Sequence, residues 1–292
     1  MELSYYPGCS LKASSEIYDV QCKLVLPAIG VNLHELDDWN CCGATSAGKM
    51  DDFAAIAMPA RNLGIADASE YAGLVIPCSA CYSRMLVARK VLESDKSLLE
   101  QINEELSAKV TGRTKILSIL EAVRPLVDSG HLQEMAVRKL EGLKAACYYG
   151  CMLTRFPYKV PVSDCVENPR DMETILETLG ATTLDWSYKT DCCGASAAVN
   201  DNETSLKLMA RIINDAIARQ ADCFVTTCPM CQLNLDAYQE KVRANYGIER
   251  SIPVYFITEL IGVAIGLSPE DLAIDRHFVN AMVLLRDLNL YE

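Results

Sequence analysis

Short apolar runs alternate along this chain with longer segments whose apolar positions recur at helical spacing. Residues 3–6, 30–36 and 74–76 read as buried strands, and 144–149, 181–185 and 222–226 read the same way further on. Segments 14–29, 51–69, 171–179 and 203–219 carry helical patterns between them. Strands that alternate with helices predict an α/β fold. Residues 94–138 differ: Leu98, Leu99, Ile102 and Leu106 recur at helical spacing, as do Ile116, Ile119, Leu120 and Val123. This segment reads as a helical linker.

The pattern occurs twice. Tyr6-Pro7-Gly8-Cys9-Ser10-Leu11 is echoed by Tyr148-Tyr149-Gly150-Cys151-Met152-Leu153. Cys41-Cys42-Gly43-Ala44 is echoed by Cys192-Cys193-Gly194-Ala195, and Cys78-Ser79-Ala80-Cys81 by Cys228-Pro229-Met230-Cys231. In the first half 31 residues separate Cys9 from Cys41, and 35 separate Cys42 from Cys78. In the second half the spacers are 40 and 34 residues, the extra length falling in the Pro-rich stretch 157–169, where a loop tolerates insertion. Three landmarks in one order indicate duplication with a boundary near residue 140. The expected architecture is two pseudo-symmetric α/β domains, 1–140 with the helical linker and 141–292, with the cysteines in loops at strand ends.

Composition narrows the function. Half of the residues are hydrophobic and 23% are charged, which suits a folded protein. A net charge of −12 with no Lys/Arg-rich run argues against a general nucleic-acid binder. The N-terminus lacks a basic region followed by an apolar stretch, and the apolar stretch 254–267 is short and carries Glu259. A cytoplasmic protein without a membrane span is therefore expected. Its 14 cysteines do not suit a secreted disulfide scaffold, and clustered cysteines in a reducing compartment bind metal or do redox chemistry.

Each half offers one cysteine, an adjacent pair and a Cys-x-x-Cys. A thioredoxin-like site needs only the last of these. Structural zinc and an ordinary cubane cluster each take four ligands, which leaves one thiol spare. Either the fifth cysteine is idle or the bound group has a geometry that uses it. Gly43 and Gly194 follow the adjacent pairs and permit backbone torsions that other residues resist.

The motif Cys-x31-Cys-Cys-Gly-x34-Cys-x-x-Cys resembles the CCG domain of the B-type subunit of heterodisulfide reductase, and the likeness covers nearly the whole chain. It implies a non-cubane [4Fe–4S] cluster in each half. Cys9, Cys41, Cys42, Cys78 and Cys81 would hold the first, and Cys151, Cys192, Cys193, Cys228 and Cys231 the second. Cys147 lies four residues before Cys151, and the match of Gly150-Cys151-Met152-Leu153 to Gly8-Cys9-Ser10-Leu11 selects Cys151. Some relatives have been read with zinc in the N-terminal motif, so zinc is the alternative occupant there.

The resemblance also implies a disulfide reductase. In methanogens the substrate is the mixed disulfide of coenzyme M and coenzyme B, which would sit between the clusters, take one electron from each and leave as two thiols. The chain has no G-x-G-x-x-G fingerprint, so electrons would come from partners. In the family these are a small ferredoxin-like subunit and a flavin-containing subunit of the heterodisulfide reductase complex, with hydrogenase or formate dehydrogenase as further members. An iron–sulfur electron-transfer subunit of another dehydrogenase complex, without disulfide cleavage, is the alternative function. Lys12, Lys49 and Arg155 stand close after matched cysteines and are candidates to receive an anionic substrate, against the plain reading of solvated surface charges. Cys22, Cys147, Cys165 and Cys223 fall outside the motif. His34, His131 and His277 show no ligand spacing, and Trp39 and Trp186 read as core packing.

Overall fold

The computed structural model describes residues 1–44, 46–154 and 165–291. Strands β1 (Glu2–Tyr5), β2 (Asn32–Glu35), β3 (Gly73–Val75) and β4 (Lys115–Leu117) form a parallel sheet in the order β2-β1-β3-β4. Strands β5 (Lys144–Cys147), β6 (Thr182–Thr183), β7 (Cys223–Thr226) and β8 (Val254–Phe256) form a second in the order β6-β5-β7-β8. The two sheets thus repeat one topology. β3, β7 and β8 are buried at every residue, as expected of parallel strands covered on both faces.

Two strands differ from the sequence expectation. The segment 94–138 is not a helical linker alone, because β4 lies inside it and pairs with β3 in the register Gly73↔Lys115. The apolar stretch that begins at Val254 opens with β8. Each is three residues long, too short for a period-2 pattern of its own, and runs directly into a helix. Ser118 marks the first change of state. Its hydroxyl accepts from Glu121 N at 3.3 Å, and Glu121 accepts from Ser118 N at 2.8 Å, a capping box that starts the helix Ile119–Asp128.

The strand order places the cysteines. β2 lies on one side of β1 and β3 on the other, so the topological switch point falls between β1 and β3. Ligand sites in open parallel sheets gather at such a crevice, outside the carboxyl ends of the strands. The segments that leave β1, β2 and β3 there carry every motif cysteine of the first half, and those leaving β5, β6 and β7 carry those of the second; Cys9, Cys81, Cys151 and Cys231 stand in the first turns of helices rather than in the expected loops.

The halves share a core. The helix Glu16–Ala28 packs against Ile257–Ala264, and the Tyr18 ring stacks on Phe256 with centroids 3.9 Å apart. At Gly262 a Cβ would come within 3.1 Å of Val25 Cγ2 and 2.8 Å of Leu272 Cδ1, so the approach requires glycine. Gln21 Nε2 donates to Glu259 Oε1 at 2.6 Å, and Arg124 pairs with Asp171 at 2.7 Å across the same boundary. Among the described residues no helix is long and apolar enough to cross a membrane.

Candidate metal centres

Each cysteine set is assembled around a buried tyrosine. Tyr6 follows β1, and its hydroxyl donates to Asn40 O at 2.8 Å, just before Cys41-Cys42. Tyr148 follows β5, and its hydroxyl donates to Asp191 O at 2.6 Å, just before Cys192-Cys193. The backbone is tied in the same way, with Tyr6 N donating to Val75 O at 2.9 Å and Tyr148 N to Val225 O at 2.7 Å. Each phenol therefore pins the loop of the adjacent cysteines over the switch point. Trp39 meets Tyr6 edge-on at 5.5 Å, and Trp186 packs beside Tyr148 at 6.0 Å.

The thiols stand in pairs. Cys42 Sγ lies 3.2 Å from Cys81 Sγ, and Cys193 Sγ lies 3.6 Å from Cys231 Sγ. Cys9 and Cys41 approach at 3.8 Å. Gly8 and Gly150 precede the first cysteines at φ +69° and +65°, and a Cβ on either would come to 3.0 Å of Cys81 Sγ or Cys231 Sγ. Both positions thus require glycine for torsion and for space. Gly43 N and Gly194 N point at Cys41 Sγ and Cys192 Sγ at 3.4 and 3.3 Å. Among the described residues no three or more ligating side chains close on one point as a single ion requires.

Within each set some thiols are held as proton acceptors and others as donors. The Cys81 thiol lowers the pKa of Cys42, with help from Ala44 N–H and the Arg84 guanidinium, while Cys81 itself is raised. The Cys151 thiol and Gly194 N–H bring Cys192 down to about 6. Cys228 is lowered by Cys231 and by the N–H groups that open the helix Pro229–Ala237. Burial and the neighbouring Cys41 push Cys9 up to about 11. Metal ligation needs thiolates, and hydrogen bonds from backbone N–H groups prepare some of these sulfurs for it.

The sets meet across the boundary between the halves. The helix Ser79–Ser94, which opens after Cys78, packs against Gly150–Thr154, and Gly8–Leu11 packs against Pro229–Ala237, which opens after Cys228; Ser79 also helps to lower the Cys228 pKa. Tyr18 is fully buried within the fields of both Cys228 and Cys78.

A family described as the CCG cysteine-rich domain matches residues 3–85 and 145–236, together more than half of the chain. The chain belongs to the CCG family. The 8-methylmenaquinol:fumarate reductase membrane anchor subunit of Wolinella succinogenes is 30% identical over 97% of this CCG chain and 99% of its own. The B-type subunit of the ferredoxin:CoB-CoM heterodisulfide reductase of Methanosarcina mazei is 28% identical over 100% of this chain and 97% of its own. A protein of Archaeoglobus profundus, described as like the same heterodisulfide reductase subunit, is also 28% identical, over 91% of each chain. The solved structure of a hypothetical protein from Helicobacter pylori has the same fold at TM-score 0.74 and 15% identity. It aligns over 95% of this chain, which spans about half of that one (51%).

Outside the CCG cysteines the expected residues take varied positions. Cys147 lies inside β5, fully buried, with its carbonyl accepting from Trp186 Nε1 at 3.0 Å. Cys22 and Cys223 are buried, and burial raises both thiols; Cys165 is exposed. His277 is buried against Glu259 at 2.8 Å, and His34 sits on Glu2 at the surface. Lys12 is held by Asp19 and Glu35, each at 3.1 Å, while Lys49 is exposed. Arg155 lies outside the described residues. Sequence reasoning passed over Arg84, which reaches back to donate to Ala44 O at 2.9 Å beside Cys42. It also treated Tyr6 and Tyr148 only as landmarks of the repeat, although their recurrence before Gly-Cys was the available signal.

Proposed function

We propose that this CCG chain is the iron–sulfur subunit of a multi-subunit redox complex and that its two cysteine sets act together on a disulfide. Cys9, Cys41, Cys42, Cys78 and Cys81 hold one non-cubane [4Fe–4S] cluster, and Cys151, Cys192, Cys193, Cys228 and Cys231 hold the other. The donor set fits such groups: thiols approach one another in pairs within each half, and a backbone N–H group points at one sulfur of each set. When bound, the clusters supply electrons one at a time. A disulfide takes two electrons and two protons as its S–S bond breaks and two S–H bonds form.

The observation that carries the reading is the packing of Ser79–Ser94, the helix that holds Cys81, against Gly150–Thr154, the helix that holds Cys151. Both groups can then serve one small substrate. The chain's residues exclude water behind the sulfurs, where Cys42, Cys81, Cys193 and Cys231 are buried, and leave Cys9 and Cys192 exposed at the front. Lys49, Arg155 and, less readily, Lys12 are proposed to receive an anionic substrate, because Lys12 is already held by two carboxylates. Electrons would arrive from a ferredoxin-like subunit and ultimately from a flavin-containing one.

A second reading is electron transfer without disulfide cleavage. The relative named as a subunit of a fumarate reductase, 30% identical across nearly both full lengths, favours it. An anaerobic assay separates the two. The chain purified with its partners is reduced by a viologen dye and offered the coenzyme M–coenzyme B disulfide. Release of two thiols per disulfide supports the first reading. Rapid reduction of the protein with no thiol release overturns it in favour of the second.

A further inference from the structure

Two buried hydroxyls, Ser79 and Thr227, directly flank motif cysteines, and a third, Tyr18, is buried where the two halves pack. Among the described residues Tyr18 Oη, Ser79 Oγ and Thr227 Oγ1 have no hydrogen-bond partner, and Ser79 is near enough to Cys228 to lower its pKa. Tyr18 is 0% exposed, Ser79 1% and Thr227 2%. An unsatisfied buried hydroxyl is costly, so three together call for an acceptor.

Their positions say where that acceptor lies. Ser79 directly follows Cys78, and Thr227 directly precedes Cys228. Duplication does not account for either, because the matching residue in the other half is proline each time, Pro229 for Ser79 and Pro77 for Thr227. Each Cys-x-x-Cys has thus acquired one hydroxyl of its own. Tyr18 belongs to both, since its phenol is enclosed within reach of the charges of Cys228 and Cys78. Burial keeps the proton on a phenol, so Tyr18 is held as a donor.

Resting on the cluster reading above, we infer that Tyr18, Ser79 and Thr227 donate hydrogen bonds to sulfur of the two clusters, with Tyr18 shared between them. An electron entering a buried cluster adds negative charge where water cannot solvate it. Donors to the sulfurs stabilise the reduced form more than the oxidised form and raise the reduction potential. A donor shared by two clusters raises both potentials together, which suits paired one-electron steps.

Tyr18→Phe tests this cleanly, because the ring and its stack on Phe256 remain and only the hydroxyl goes. The cluster-loaded full chain is compared with the variant for iron and sulfide content and for midpoint potentials followed by electron paramagnetic resonance. The expected result is unchanged content with both potentials moved negative. A tenfold loss in each reduction equilibrium would read as about 59 mV for a one-electron couple. An exchangeable-proton coupling seen by electron–nuclear double resonance should also disappear. Full cluster content with neither potential moved, or only one, overturns the proposal. If Tyr18→Phe lowers cluster content, Ser79→Ala decides: a negative shift of the second-half cluster supports the proposal, and no shift overturns it. Wild-type protein carrying zinc and no sulfide overturns the cluster reading and this proposal with it. The two failures are therefore told apart by the wild-type analysis alone.

Discussion

The first half and the second half solve the same backbone problem in the same way and surround it with different charges. Tyr6 and Tyr148, Gly8 and Gly150, and Gly43 and Gly194 occupy matching places with nearly matching bonds and torsions. The third residue after the last cysteine differs. In the first half it is Arg84, whose guanidinium donates to Ala44 O and lowers Cys42. In the second it is Asn234, which donates to Cys193 O at 2.8 Å through a neutral amide. The residue before the adjacent pair differs as well, Asn40 against Asp191, and Asp191 opposes the lowering of Cys192. Where a thiol must reach a fixed point, the halves agree. Where only the local potential is at stake, they diverge, so two clusters held there would differ in readiness to take an electron.

The largest effects should come from breaking one cradle at a time. Cys81→Ala should remove about half of the iron and sulfide, and Cys231→Ala the other half, if each set holds one four-iron group of the kind thiolates ligate. Both variants should abolish disulfide reduction, while Cys22→Ala, buried in a helix outside both sets, should leave cluster content intact. Metal and sulfide analysis with separate spectra for the two halves reads all three. Loss of both clusters from either single change would mean that the halves do not load independently.

Gly8→Ala and Gly150→Ala should act more mildly and equally. Each adds a Cβ about 3.0 Å from the last cysteine sulfur at a positive φ. The left-handed conformation alone costs about 1–2 kcal/mol. Thermal unfolding should show that loss, and cluster content should fall only in the altered half.

Arg84→Gln probes the difference itself. Removing a partly exposed cation near Cys42 should move the first potential negative by less than about 59 mV per electron, since solvent screens it. The second potential should stay in place. A redox titration that moved both equally would show that local charge does not distinguish the halves.

The smallest effect concerns the boundary between the halves. Burial works against a charge on His277, but the Glu259 carboxylate beside it overcomes this and raises the pKa above 6.5. A raised folded-state pKa gives stability that is full below the unfolded value and is lost as pH rises through the folded one. Melting temperature should therefore fall modestly as pH rises past neutrality, and His277→Gln should flatten that dependence.

Much of this was readable from the chain alone, for definite reasons. Parallel strands buried on both faces are short apolar runs, so β1, β3, β5 and β7 stood out, as did the helices between them. β4 did not, because Ile116 also fits the helical spacing of Ile119, Leu120 and Val123. The cysteine sets are visible as spacing, but their partners are not. Arg84 reaches Cys42 only because the loop after β2 folds back over its helix. Lys12 looked available for an anion until β2 placed Glu35 beside it, together with Asp19 from the neighbouring helix. Tyr18 owes its place to the packing of one half on the other, which no local pattern encodes.

On the proposed function two matched cysteine sets hold two iron–sulfur clusters, one in each half. Anaerobic purification followed by iron, sulfide and zinc analysis, with electron paramagnetic resonance on the oxidised and reduced protein, tests it most directly. Two clusters would give iron and acid-labile sulfide in near-equal amounts, about four of each per half, with two distinguishable signals. Stoichiometric zinc in both halves with no sulfide would contradict it.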